Sequence, residues 1–302
     1  MNRSLRLRKC WQGWGPRLAI RDWRLGLTGH PLGHSMSPGL HNAALAAAGL
    51  TGEYGLYPVA PEDEAGLAVL LARLRSGELH GLNVTIPHKQ AVIPLLDALT
   101  PAARAIGAVN TILVTGDWSL VTDHSPFMLW GDNTDAPGFL RDVGRFLPER
   151  PSSEKTALVL GAGGSARAVV YALAEAGWQV TVAARRLPQA QALAAQMANV
   201  GEITAVTLNA GKLRKLTPGL LVNTTPVGMS PNVDASPWPE GVRMREGMAV
   251  YDLIYNPRET KLVRDARAAG LPAITGLGML VEQAALAFTR WTGVEVDFGK
   301  FI

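Results

Sequence analysis

Two groups of residues in this 302-residue chain have types and spacings that chemistry could use. The first is Gly161-Ala162-Gly163-Gly164-Ser165-Ala166, which follows the apolar run Thr156–Leu160 and opens an alanine-rich stretch reaching Gly177. Such a turn lets the backbone approach a pyrophosphate, while the helix N-terminus offers free N–H groups and a favourable dipole. Ala166 stands where the strict fingerprint has glycine, so this is the alanine-tolerant version. Glycine strings are often only tight turns; the strand–turn–helix context is what points to a dinucleotide. The next predicted strand ends in Ala184-Arg185-Arg186, with no acid in reach. NAD sites usually hold the ribose 2′-hydroxyl with Asp or Glu there, whereas two guanidinium groups suit the 2′-phosphate of NADP. The blander alternative is a pair of solvated arginines on a loop.

The second group is Asn83-Val84-Thr85-Ile86-Pro87-His88-Lys89, followed at a distance by Asn133-Thr134-Asp135. The pattern predicts a buried strand over Leu82–Ile86 and a helix opening at Pro87, with Lys89 in its first turn. A cation there opposes the helix dipole and partial burial disfavours charge, so neutral lysine becomes available as a base. A nearby carboxylate acts in the opposite sense and holds the ammonium. Lys89 with Asp135 could therefore move the proton that joins or leaves an oxygen during hydride transfer. Spacing alone does not bring the two together, and a lysine so placed is more often a solvated helix residue.

The elements that must position these groups read as α/β. Strands are predicted at Leu25–Gly29, Tyr54–Val59 and Leu82–Ile86, and helices from Ser37 and over Glu62–Arg75, with Ser37-Pro38 as N-cap and first-turn proline. Three successive β–α units imply a largely parallel sheet. Residues 115–131 interrupt the rhythm as a loop or hairpin insertion. A helix is predicted over Pro137–Phe146, then a linker over Pro148–Ser153. Further strands are expected at Thr156–Leu160, Gln179–Ala183, Gly219–Asn223 and Ala249–Leu253, and a last amphipathic helix over Glu282–Thr292. No internal repeat is evident.

Composition limits the function classes. Hydrophobic residues make up 47% of the chain, enough for two cores, yet no run approaches the roughly 18 apolar residues of a membrane span. The net charge of +4 is misleading, because seven basic residues fall in the first 24 against Asp22 alone. Without these, 22 basic face 24 acidic residues, which gives no basic stripe for nucleic acid. The basic tail lacks a signal peptide's apolar core and reads as a loosely docked extension or a misplaced start. Cys10 is the lone cysteine, which rules out an internal disulfide framework and agrees with a reducing, cytoplasmic setting. His34, His41 and His88 have no metal-ligand spacing, so no metal is expected. His41-Asn42 reads as helix packing and loop hydrogen bonding, and Met229 and Met279 as apolar walls.

Taken together, the motifs resemble the shikimate dehydrogenase family from about Leu25 to the C-terminus. The matching stretches are Gly29–Pro38 with His41-Asn42, Asn83–Lys89, Gly107–Thr111, Asn133–Asp135, Gly161–Arg167, Asn223–Met229, Tyr251–Pro257, and Gly276–Leu280 with Gln283. The resemblance implies NADP-linked interconversion of 3-dehydroshikimate and shikimate, with Lys89 and Asp135 as the catalytic pair. It further implies that Ser35 and Ser37 hold the substrate carboxylate, and that Thr85, Asn110, Tyr255 and Gln283 contact ring hydroxyls or carboxylate. Thr225, Leu253 and Gly276 fall where the family borders the nicotinamide or its ribose. This chain departs from the family in its N-terminal extension, which has no family counterpart, and in three further places. Ala184-Arg185-Arg186 replaces the usual Asn-Arg-Thr, Ala136-Pro137 replaces a glycine after Asn-Thr-Asp, and the 115–131 segment is longer.

The expected organisation is a basic extension (1–23), an α/β substrate domain (24–134 with 276–302) and a Rossmann-like NADP domain (135–275), with the substrate in the cleft between them. A monomer or homodimer is expected, with no nucleic-acid or membrane partner. Two rivals stay open: a quinate/shikimate dehydrogenase of relaxed specificity, and a non-catalytic NADP- or shikimate-binding sensor. Ser37, where quinate-preferring relatives carry threonine, argues against the first; the presence of both Lys89 and Asp135 argues against the second.

Overall fold

A computed structural model describes residues 20–116, 127–147 and 155–302. Most of the basic tail, the centre of the 115–131 segment and the Pro148–Ser153 linker lie outside the described residues.

The first half builds a six-stranded sheet from β1 (Trp23–Gly29), β2 (Gly52–Pro58), β3 (Gly81–Val84), β4 (Ala98–Leu99), β5 (Thr111–Thr115) and β6 (Met128–Asp132), in the order β2-β1-β3-β5-β6-β4. The β1–β2, β1–β3 and β4–β6 pairings are parallel, but β5 runs antiparallel to both β3 and β6. The sheet is therefore mostly parallel with one reversed strand, and the interrupted segment forms the return from β5 to β6. Helices α1 (Ser37–Ala47), α2 (Glu64–Arg75) and α3 (Pro101–Ile106) accompany it. Asp63 caps α2 by accepting from Gly66 N–H at 2.8 Å, and Thr100 caps α3 by accepting from Ala103 N–H at 3.2 Å.

Helix α4 (Asp135–Phe146) leads into the second sheet: β7 (Thr156–Leu160), β8 (Gln179–Ala184), β9 (Ile203–Thr207), β10 (Leu220–Asn223), β11 (Ala249–Asp252) and β12 (Ala273–Thr275). All its pairings are parallel, in the order β12-β11-β10-β7-β8-β9. Helices α5 (Gly164–Glu175), α6 (Leu187–Gln196), α7 (Ala210–Leu213) and α8 (Lys261–Ala268) make the crossovers. Strand order reverses at β7, which opens a crevice beyond the C-terminal ends of β7 and β10. The near-continuous apolar strands Ala157–Leu160 and Leu220–Val222 are buried, as two-sided parallel strands must be.

The chain then returns. Helix α9 (Leu277–Thr292) buries Ala284, Ala287, Phe288 and Trp291 in one core with Trp23, Leu25, Leu45 and Tyr54 of the first half. Trp291 Nε1 donates to Ile112 O at 3.0 Å, so the last helix is tied to the first sheet.

Several expectations are corrected. No helix opens at Pro87: residues 86–92 form turns, followed by a short 3-10 helix over Ile93–Leu95. The carbonyl that a helix would use internally, Lys89 O, accepts instead from Val109 N–H at 2.7 Å. Ser37 is the first residue of α1 rather than its N-cap; the hydroxyl of Ser35 accepts its N–H at 3.2 Å. The last helix begins at Leu277, ahead of Glu282, and β1 already includes the buried Trp23.

Candidate active site

The C-terminal ends of β1, β3 and β6 and the N-terminal end of β5 converge on one face, and each delivers polar residues. β1 leads to Ser35 and Ser37, β3 to Thr85 and Lys89, and β6 to Thr134 and Asp135, while Asn110 immediately precedes β5. The turn after β3 is held by one local and one distant partner: His88 N–H donates to Thr85 O at 2.9 Å, and the His88 ring nitrogen Nε2 lies 2.8 Å from Val59 O. Lys89 is fixed in this way without a helix, so the dipole invoked from sequence does not act on it.

Lys89 Nζ donates to Asp135 Oδ2 at 2.6 Å and to Ser165 Oγ at 3.3 Å. Both members of the ion pair are buried, with side chains 11% and 7% exposed. Two of the three ammonium hydrogens are committed, which leaves one for a ligand oxygen. Asp135 Oδ1 accepts from Asn110 Nδ2 at 2.9 Å, and the same amide nitrogen lies 3.3 Å from Gln283 Oε1. Asn110 Oδ1 accepts from Thr134 N–H at 2.7 Å, which fixes the orientation of the amide. A lysine, an aspartate, an asparagine and a helix-borne glutamine, far apart in sequence, are thus joined in one network.

Sequence reasoning missed the layer beneath. Asn83 donates to Asn110 O at 3.1 Å and to Thr111 Oγ1 at 3.2 Å, and accepts from the Tyr54 hydroxyl at 2.8 Å. Asn83 lies inside a family-like stretch, but nothing in its spacing marks it out. Burial raises the Tyr54 phenol well above its usual range, with nearby Ser37 acting the other way. Tyr255 is likewise pushed up by burial, with Ser35 and Met36 acting the other way. Each serine of the pair thus influences a tyrosine, Ser37 one from the first half and Ser35 one from the second. The Thr85 hydroxyl has no partner among the described residues.

The cofactor-side residues lie at the crevice. Gly161 has φ +108, and a β-carbon there would meet Thr224 Oγ1 at 2.6 Å. Gly163 occupies the N-cap of α5 with no side-chain cap, so the N-terminal amides around Ala162, Gly164 and Ser165 are not covered by one. Ala184 closes β8 and is buried, whereas Arg185 and Arg186 are exposed with no guanidinium partner among the described residues. Thr225 is held by Asn223 Oδ1, which accepts its N–H at 2.9 Å and its hydroxyl at 2.8 Å. Leu253 N–H donates to Asn223 O at 2.9 Å, and Gly276 N–H to Ile254 O at 3.2 Å. An uncapped helix start behind a glycine turn, with free guanidinium groups one strand away, fits a phosphorylated dinucleotide. Of the two methionines, Met279 is buried in the core beside this crevice, while Met229 is largely exposed.

Three family models match the chain: the shikimate dehydrogenase substrate binding domain over residues 27–112, shikimate / quinate 5-dehydrogenase over 148–216, and the shikimate 5′-dehydrogenase C-terminal domain over 276–301. The chain is 44% identical over 276 residues to shikimate dehydrogenase (NADP(+)) of Salinibacter ruber, covering 88% of this chain and 90% of that one. It also resembles the crystal structure of shikimate 5-dehydrogenase from Thermus thermophilus in complex with NADP(H) and shikimate. That match has a TM-score of 0.77 and 40% identity, over 92% of this chain and 97% of that one. Quinate dehydrogenase from Corynebacterium glutamicum in complex with NAD is similar with a TM-score of 0.79 at 33% identity, over 93% of this chain and 97% of that one.

Proposed function

Because this chain belongs to the shikimate dehydrogenase family, we propose that it reversibly reduces 3-dehydroshikimate to shikimate with NADPH, using Lys89 and Asp135 to handle the proton. The observation that carries this reading is the buried Lys89–Asp135 pair at 2.6 Å, placed against Ser165 of the glycine turn. NADP, when bound, supplies or accepts the hydride. In reduction the Lys89 ammonium gives its proton to the oxygen of the reacting carbonyl as an alkoxide develops. In oxidation neutral Lys89 takes that proton back from the C3 hydroxyl. Asp135 holds the ammonium in place, and Asn110 holds Asp135.

Ser35 and Ser37, with Tyr255, take the substrate carboxylate. Thr85, Asn110, Asp135 and Gln283 take the ring hydroxyls. Gly161, Ala162, Gly163, Gly164 and Ser165 hold the pyrophosphate, and Arg185 and Arg186, after Ala184, the 2′-phosphate. Thr225, Leu253 and Gly276 border the nicotinamide and its ribose. We divide the chain into a substrate domain of residues 24–134 with 276–302 and an NADP domain of 135–275, and read it as a cytoplasmic monomer or homodimer. No helix among the described residues is long and apolar enough to cross a membrane.

Ser37 and the arginine pair favour shikimate with NADP over quinate with NAD. Initial rates for shikimate and quinate, each with NADP and NAD, test this. The highest kcat/KM should fall to shikimate with NADP; a win for quinate or for NAD would overturn that part of the reading.

A further inference from the structure

Asp252, the last residue of β11, is fully buried and takes no part in the chemistry described above. Its three partners are all neutral. Oδ1 accepts from Asn223 Nδ2 at 2.9 Å and from Ile254 N–H at 3.1 Å, and Oδ2 accepts from Thr260 Oγ1 at 2.7 Å. A carboxylate buried without a cation is costly, and a neutral side chain would fill the space more cheaply. Burial pushes its carboxyl up to about 6, while the three donors aimed at its two oxygens favour the ionised form.

The polarity of the neighbouring amide explains why an acceptor is needed. Asn223 Oδ1 already accepts the N–H and the hydroxyl of Thr225, so its Nδ2 must face Asp252 as a donor. One carboxylate oxygen thus meets the segment that carries Thr225 and the segment that carries Tyr255. Bonds to a charged acceptor are stronger than bonds to a neutral one, so the charge stiffens both connections together.

We propose that Asp252 is a positioning residue that locks the Thr225 loop to the Tyr255 segment, so that cofactor binding and substrate binding strengthen each other. This rests on the assignment of Thr225 to the cofactor and Tyr255 to the substrate. Binding of either ligand orders a loop anchored on the same oxygen atom, and the second ligand then meets a loop already in place.

NADPH and shikimate are both reduced and do not react with each other, so their mutual effect can be measured at equilibrium. In the wild-type protein, saturating shikimate should tighten NADPH binding roughly fivefold or more, with the reciprocal effect on shikimate. Asp252→Asn should bind both ligands with that coupling largely gone. Thr260→Val should weaken the coupling and Thr260→Ser keep it, which preserves the test if Asp252→Asn does not fold. Absence of coupling in the wild type would overturn the proposal. So would wild-type coupling in Asp252→Asn or Thr260→Val, even with a lowered melting temperature. A wild-type protein that binds neither NADPH nor shikimate would overturn the functional reading and this proposal with it.

Discussion

Gly164 rests on the aliphatic stem of Lys89: a β-carbon added at Gly164 would lie 3.0 Å from Lys89 Cβ and 3.2 Å from Lys89 Cδ. The glycine turn proposed for the cofactor and the lysine proposed for proton transfer are therefore one packed unit, although they come from different sheets. Gly164→Ala would displace the lysine stem by a few tenths of an ångström. Such a shift should lower kcat roughly three- to tenfold. NADPH affinity, read by fluorescence titration, should fall less than kcat; the opposite order would mean that the glycine serves the cofactor alone.

How much of the molecule is legible in the sequence depends on the range of the contact. The β7–turn–α5–β8 unit is local, and its apolar run, glycines and terminal arginines identify it directly. The short strand β5 is not legible, because its five residues follow a loop and its reversal depends on pairing with β3 and β6. Edge strand β9 is half-buried and only five residues long, so it shows little apolar run. The turn at 86–92 reads as a helix because Pro87 suits a first turn; the competing bond from Val109 to Lys89 O is invisible locally. Asn110 and Gln283 are placed by resemblance alone, since 173 residues separate them.

Tyr255 is proposed to share the substrate carboxylate with Ser35 and Ser37, and it is half-buried like Ser35. Tyr255→Phe should raise the KM for shikimate about fivefold while changing kcat little, as expected for one lost hydrogen bond used in binding. A fall in kcat at unchanged KM would move Tyr255 from carboxylate binding to the reacting end.

Arg185 and Arg186 are exposed and free of guanidinium partners among the described residues. Replacing both by alanine should raise the KM for NADP about tenfold or more and leave the KM for NAD nearly unchanged. Equal losses with the two cofactors would show that the arginines do not read the 2′-phosphate.

His41 lies flat on Tyr54, with ring centroids 4.2 Å apart, and neither ring nitrogen has a partner among the described residues. Burial lowers its pKa from the ordinary 6.5 to about 3. The unfolded chain therefore binds a proton that the folded one refuses between about pH 6.5 and 3. Stability from neutral His41 is present above that window and is lost as pH falls through it. His80, lowered to about 4 chiefly by burial, acts in the same direction. Asp252, raised to about 6, acts in the opposite one, because its folded form holds the extra proton. His41→Leu should lose the His41 contribution, so its denaturation midpoint should fall less steeply than the wild type's between about pH 6 and 4. Parallel curves would mean that His41 is already charged in the folded protein.

Lys89 carries the proton, on this reading, while its neighbours hold the ligands. The most direct measurement is kcat for shikimate oxidation by Lys89→Ala at saturating NADP, with NADPH and shikimate binding measured on the same preparation. The expected kcat is lower by about 10²- to 10⁴-fold, with both affinities within a few-fold of wild type. An unchanged kcat in a variant that binds both ligands would contradict the assignment of the proton to Lys89.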